Sequence, residues 1–203
     1  MRIDTHHHLW DLTGTPREWL TGDVLQPINK TFSMEDFVSE RSSANIDQSI
    51  LVQSATSYGE LKEMFDVAQR HESVVGLVAW IDMSAKDCLD RLEKYLDLPG
   101  AERLVGIRDG AQGRTDTGWL SSPIVIENVR KLASDSLTFD LLVDPPHLPA
   151  SVKLVRAVPD NIFILDHIGK PNIAKGEIAD WAKVIKELAK SENVFCKISG
   201  MVT

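Results

Sequence analysis

Asp4-Thr5-His6-His7-His8 follows the strand-like start Met1-Arg2-Ile3. Side chains alternate in an extended segment, so His6 and His8 share one face and His7 takes the other. Two imidazoles converging at a strand end can hold a divalent metal or polarise a carbonyl. Surface histidines without a role have the same spacing; a tag remnant is disfavoured by the short run and the aspartate before it. Further polar residues stand at the ends of apolar runs: Gln53; Trp80 and Asp82; Arg108-Asp109, with Gln112 beyond; Asp144 and His147; Asp166-His167 before Gly169-Lys170-Pro171; and Lys197 before Ser199-Gly200. Of the six histidines, only His71 lies at a helix end instead.

Each of these residues has two readings. Arg108 suits a carboxylate or oxyanion through its planar fork of donors, or it forms a structural salt bridge. Asp166 and His167 serve chemistry, or lock a strand end as a hydrogen-bonded pair. Lys197 faces a site or snorkels outward. His147, in the stiff Asp144-Pro145-Pro146-His147-Leu148-Pro149, meets a ligand or opens a helix in solvent. Trp10, Trp19 and Trp119 are packing aromatics or a platform for a ring. Gly169 and Gly200 read as turn residues.

The elements that position them recur along the chain. Apolar runs at Met1–His6, Ser49–Gln53, Val74–Ile81, Leu104–Arg108, Leu137–Val143, Ile162–His167 and Val194–Ser199 read as strands. Amphipathic stretches between them read as helices. Ser33-Met34-Glu35-Asp36 is a cap with early acids, Glu60–His71 and Ser84–Leu96 carry apolar residues at three-to-four spacing, and Ser122-Pro123, Pro149–Val158 and Glu177–Ala189 supply the rest. Several strands are apolar on both faces, as in a parallel sheet covered by helices. A doubly wound sheet would favour a glycine-rich turn after strand one, where this chain has histidines. The pattern therefore predicts an α/β fold of (β/α)8 barrel type with about seven strands present, in one domain over residues 1–203. Barrel enzymes gather their chemistry at the carboxyl ends of the strands, where the polar residues fall.

Composition narrows the partners. The 203 residues are 43% hydrophobic and 26% charged, with a net charge of −8, which argues against a nucleic-acid surface. Two cysteines, Cys88 and Cys196, lack metal-ligand spacing and fit a reducing compartment. No apolar run approaches the length of a membrane span, and no leader sequence is apparent. The expectation is a cytoplasmic protein with no membrane partner.

Six segments in order, Ile3–Asp11, Val52-Gln53, Gly106-Ile107-Arg108, Phe139–Leu142, Leu165–Pro171 and Cys196–Gly200, resemble the amidohydrolase superfamily. Within it they resemble the group of lactonases that includes L-fuconolactonase, L-rhamnonolactonase and 2-pyrone-4,6-dicarboxylate lactonase. The resemblance spans essentially the whole chain. It implies a distorted (β/α)8 barrel that hydrolyses a small-molecule lactone. His6, His8 and His167 would be the catalytic histidines, ligating zinc or, without metal, polarising the substrate carbonyl themselves. Gln53, Arg108, Gln112, His147 and Lys197 would bind substrate. The family pattern continues past Ser199-Gly200 to an eighth strand ending in an aspartate general base, whereas this sequence stops at Thr203. The expectation is thus a C-terminally truncated form of impaired activity, able to self-associate through exposed barrel edges. The alternatives are a zinc-dependent decarboxylase of the same fold and a non-catalytic truncated form.

Overall fold

The computed structural model describes residues 1–201. Seven strands alternate with six helices: β1 Ile3–His7, α1 Met34–Ser43, β2 Gln48–Val52, α2 Gly59–Arg70, β3 Val74–Ala79, α3 Cys88–Leu96, β4 Leu104–Ile107, α4 Pro123–Ser134, β5 Thr138–Leu141, α5 Leu148–Ala157, β6 Phe163–Leu165, α6 Ala179–Leu188 and β7 Val194–Cys196. Hydrogen-bonded neighbours follow chain order from β1 to β7. Every strand expected from the apolar runs is present, but most end earlier. Strand β6 stops at Leu165 because the backbone turns left-handed from His167, and β7 stops at Cys196. Helix α3 starts at Cys88 rather than Ser84, because Asp82 Oδ1 accepts the Ser84 amide and holds that stretch as a turn.

The contacts divide the chain into two compact units, Met1–Ile81 with Leu89–Val105, and Asp82–Cys88 with the chain from Gly106 onward. In the first unit β1, β2 and β3 pair in parallel. Leu61, Met64, Phe65 and Ala68 form the buried face of α2, and the strands contribute Leu51, Leu77 and Ala79 to the same core. Each of the larger side chains among these contributes roughly 1.5–3 kcal/mol by leaving water. Helix α1 begins at a reciprocal cap: Ser33 Oγ accepts the Asp36 amide, and the Asp36 carboxylate accepts the Ser33 amide. Gly100 crosses so close to α2 that a Cβ there would lie 2.2 Å from the Phe65 carbonyl oxygen.

In the second unit β4 through β7 pair in parallel. Phe139 and Phe163 meet edge to face on adjacent strands, over a core that includes Leu132, Leu141, Leu148, Leu154 and Leu165. Pro123 fills the first turn of α4, where its missing N–H costs nothing. Parallel pairing brings the carboxyl ends of the strands to one edge within each unit. Among the described residues no helix is long and apolar enough to cross a membrane.

Candidate active site

In the first unit, His6 and His8 turn the same way, as strand alternation predicts. Their Nε2 atoms lie 3.1 Å apart and their rings meet at 86°. His8 Nδ1 is 2.8 Å from the Val52 carbonyl oxygen, which can only accept, so Nδ1 carries the proton and Nε2 the lone pair. Between Asp4 and His7, β1 advances three residues while β2 advances two, a bulge that re-aims the histidine segment. His7 points the other way and stacks flat on Phe37 with centroids 3.9 Å apart. Burial pushes its pKa down to about 4, the negative field of Asp4 opposing this in part. Gln53, directly after β2, is buried, and its amide donates to the Val78 carbonyl.

The loop after β1 carries a group that sequence reasoning missed. The Arg17 guanidinium is buried and pairs with Glu60 at 3.2 Å and Glu63 at 3.0 Å, while its Nε donates to Ser54 Oγ. Burial raises the Glu60 pKa against the hydrogen bonds from Ser54 and Ala55. Beside this group a cavity of about 320 Å³ is lined by Trp10, Phe32, Met34 and Met64 among others. Trp10 meets both Trp19 and Phe32 edge to face. Arg17 had no signal in the sequence, because its carboxylate partners lie more than forty residues away.

In the second unit, four charged side chains alternate in sign at the strand ends. Arg108 Nη1 lies 2.9 Å from Asp166 Oδ2, and Lys197 Nζ lies 2.9 Å from Asp166 Oδ1 and 2.6 Å from Asp140 Oδ2. The structural reading of Arg108 as an ion-pair partner therefore describes its geometry. Lys197 does not snorkel outward; only 11% of its side chain is exposed, because two buried carboxylates draw it in. The Asp166 oxygens turn to these two cations rather than marking a simple pair with His167. Burial, reinforced by the charge of Asp166, pushes the Asp140 pKa up to about 6 despite Lys197 beside it. Asp140 also escaped the sequence reading, although an aspartate inside the apolar run Leu137–Val143 was a visible signal.

His167 sits on an unusual turn. His167, Ile168, Gly169 and Lys170 all have left-handed backbone, with φ of 52°, 50°, 70° and 48°. For a β-branched residue such as Ile168 this conformation costs of order 1–3 kcal/mol, and such strain clusters at functional positions. His167 Nδ1 lies 2.9 Å from Ser199 Oγ. Gly169 and Gly200 serve the turn chemistry expected of them, with φ of 70° and 61°. His147 is buried rather than solvent-exposed: its Nε2 donates to the Arg114 carbonyl at 3.0 Å. Gln112 is exposed and accepts from Lys170 Nζ at 2.5 Å. Trp119 is a packing residue, its indole donating to Ser84 and its ring covered by the Arg114 guanidinium.

The geometry of the first unit fits a metal. Zinc–nitrogen bonds of about 2.0–2.1 Å in a tetrahedral site separate two ligand nitrogens by roughly 3.3 Å, close to the 3.1 Å between His6 and His8. The hydrogen bond from His8 Nδ1 to a carbonyl is the partner that orients a ligating imidazole.

The chain is similar to several known proteins. L-fucono-1,5-lactonase from Burkholderia ambifaria is 30% identical over 202 residues, covering 100% of this chain and 68% of that protein. An amidohydrolase from Burkholderia multivorans, crystallised with bound zinc, superposes with a TM-score of 0.89 at 24% identity, over 100% of this chain and 70% of its own. A probable 2-pyrone-4,6-dicarboxylic acid hydrolase from Acinetobacter baumannii, crystallised with citric acid, gives 0.75 at 19%, over 98% and 70%. The fold is thus the TIM-barrel-like amidohydrolase fold, with seven of its strands in the described residues. The amidohydrolase family profile matches residues 3–203, and with this match the chain belongs to the amidohydrolase family.

Proposed function

We propose that this chain carries the carbonyl-polarising machinery of a lactone hydrolase acting on a sugar-acid lactone. The observation that carries the reading is the His6–His8 pair, two Nε2 atoms 3.1 Å apart with the His8 tautomer fixed by Val52. The likeness to an L-fucono-1,5-lactonase supports the substrate class. In such a hydrolysis water attacks the ring carbonyl carbon, and the carbonyl electron pair moves onto oxygen. Collapse of the tetrahedral species then expels the ring oxygen, which takes up a proton to give the hydroxy acid. Stabilising the developing oxyanion is the largest single lever on that barrier.

In this reading His6, His8 and His167 hold and orient the group that meets the carbonyl oxygen. Zinc, when bound, would supply Lewis-acid polarisation there; without it the donor to that oxygen would be an imidazole N–H of His6 or His167, since the His8 N–H is spent on Val52. Gln53, Arg108 and Gln112 contact the substrate. His147 and Lys197, both bonded within the second unit, hold the segments after β5 and β7 rather than touching the ring. The family resemblance assigns the water proton to an aspartate on an eighth strand, a residue that these 203 residues do not include. Self-association through β7 and the segment after it, where Phe195 and Ile198 are exposed, belongs to the same proposal, and sedimentation at rising concentration tests it.

The deciding experiment measures acid release from L-fucono-1,5-lactone against spontaneous hydrolysis, alongside zinc titration, for wild type and His6→Ala. Turnover above background that is lost in His6→Ala supports the hydrolase. Zinc binding without turnover supports the non-catalytic form, and the absence of both overturns the proposal.

A further inference from the structure

We infer that Trp181, on α6, is a positioning residue for His167, acting through the left-handed turn that carries it; the inference rests on the role proposed for His167. Four consecutive residues from His167 to Lys170 are left-handed, and three of them are not glycine. L-residues visit this region singly, so a run of them persists only where surrounding bonds leave no alternative. Those bonds are specific here. The Ile168 amide donates to the Lys197 carbonyl at 3.1 Å, and the Lys170 amide closes the turn on the His167 carbonyl at 2.9 Å. The Ile168 carbonyl accepts from the Trp181 indole N–H at 2.7 Å, the shortest of the three.

The imidazole is gripped from its other side. Its Nδ1 meets Ser199 Oγ, and Gly200 approaches so closely that a Cβ there would lie 2.9 Å from the His167 Cβ and 3.0 Å from Cγ. His167 therefore stands between the segment after β7 and a turn fastened at its most strained residue by one side chain. Leu188 is the single fully buried residue of α6. Trp181, half-buried at the opposite end of that helix, spends its only polar group on the turn.

The test compares Trp181→Phe, which keeps a ring and removes the N–H, with Leu188→Val, which loosens α6 elsewhere. Two readouts are taken on the full chain: the ring-nitrogen NMR pattern of His167, which reports its tautomer, and the affinity for zinc by calorimetry. Trp181→Phe is expected to mix the His167 tautomers and weaken zinc about tenfold. Leu188→Val is expected to lower the melting temperature and leave both readouts at wild type. Ile168→Gly, which removes the strain, should restore most of the zinc affinity when combined with Trp181→Phe, and it keeps the test valid if the single variant folds poorly. A wild-type His167 pattern in Trp181→Phe, or equal changes in Leu188→Val, overturns the inference. The NMR readout needs no substrate, so inactivity on lactones would refute the proposed function without touching this result.

Discussion

Replacing His7 with phenylalanine should make the protein more stable and, above all, less sensitive to acid. The imidazole is 7% exposed, stacks on Phe37, and has no partner for either ring nitrogen. A proton added there places a charge where no acceptor meets it, so burial depresses the pKa from 6.5 to about 4. Between those values the unfolded chain binds the proton and the folded one does not. The titration of His7 therefore costs nothing well above pH 6.5, and stability is lost as pH falls through 6.5 toward 4. At about 1.36 kcal/mol per pH unit, the drop to about 4 sets a ceiling of about 3 kcal/mol, of which roughly 2.5 is expressed by pH 4.5. The ring that replaces it keeps the stack on Phe37 and removes two orphaned polar atoms, worth about 1–2 kcal/mol at neutral pH. Urea unfolding of both proteins at pH 7.5, 5.5 and 4.5 reads this out, because every other titrating group cancels in the difference. The variant's advantage should grow by about 2–3 kcal/mol from pH 7.5 to 4.5. An advantage that stays constant with pH would refute the reasoning, since it would mean that the folded protein accepts the proton as readily as the unfolded chain. Overpacking by the larger ring would lower the variant at all three values but leave the same change of about 2–3 kcal/mol in the difference between pH 7.5 and 4.5, and a loss of constant size would refute the reasoning equally.

Other outcomes follow from the second unit and from one crossing in the first. Lys197→Met strands Asp140 and Asp166 without their shared cation and should cost about 3–5 kcal/mol in urea unfolding; a loss under 1 kcal/mol would show that Arg108 alone balances them. Asp140, an acid whose folded pKa is raised to about 6, keeps its proton longer in the folded state than in the unfolded. Stability should thus fall as pH rises from about 4 to about 6, and Asp140→Asn should remove up to about 3 kcal/mol of that slope; an unchanged slope would count against the raised value. Gly100→Ala, at φ +92° with its Cβ 2.2 Å from the Phe65 carbonyl oxygen, has to move backbone and should cost at least 2 kcal/mol in a thermal melt. A wild-type melting temperature would mean that the α3–β4 connection yields easily where it crosses α2.

What the sequence determined is whatever depends on neighbours within a few residues. Apolar runs alternating with amphipathic stretches were enough to locate all seven strands and six helices, and the two-residue period placed His6 and His8 together with His7 opposite. The Ser33 cap and the proline opening α4 were legible for the same reason. Tertiary structure decided what depends on partners far along the chain. Lys197 turns inward because Asp140 lies across the sheet, fifty-seven residues away, and Arg17 is buried because Glu60 meets it from a different element. Composition alone leaves such a cation free to face either solvent or a site, since only a desolvated carboxylate at hydrogen-bonding distance makes burial the lower-energy choice. The bulge before His7 and the left-handed turn at His167 belong to the same class. Local preference opposes four left-handed residues in a row, and the bonds with the Trp181 indole and the Lys197 carbonyl, which lie outside the turn, act against that preference.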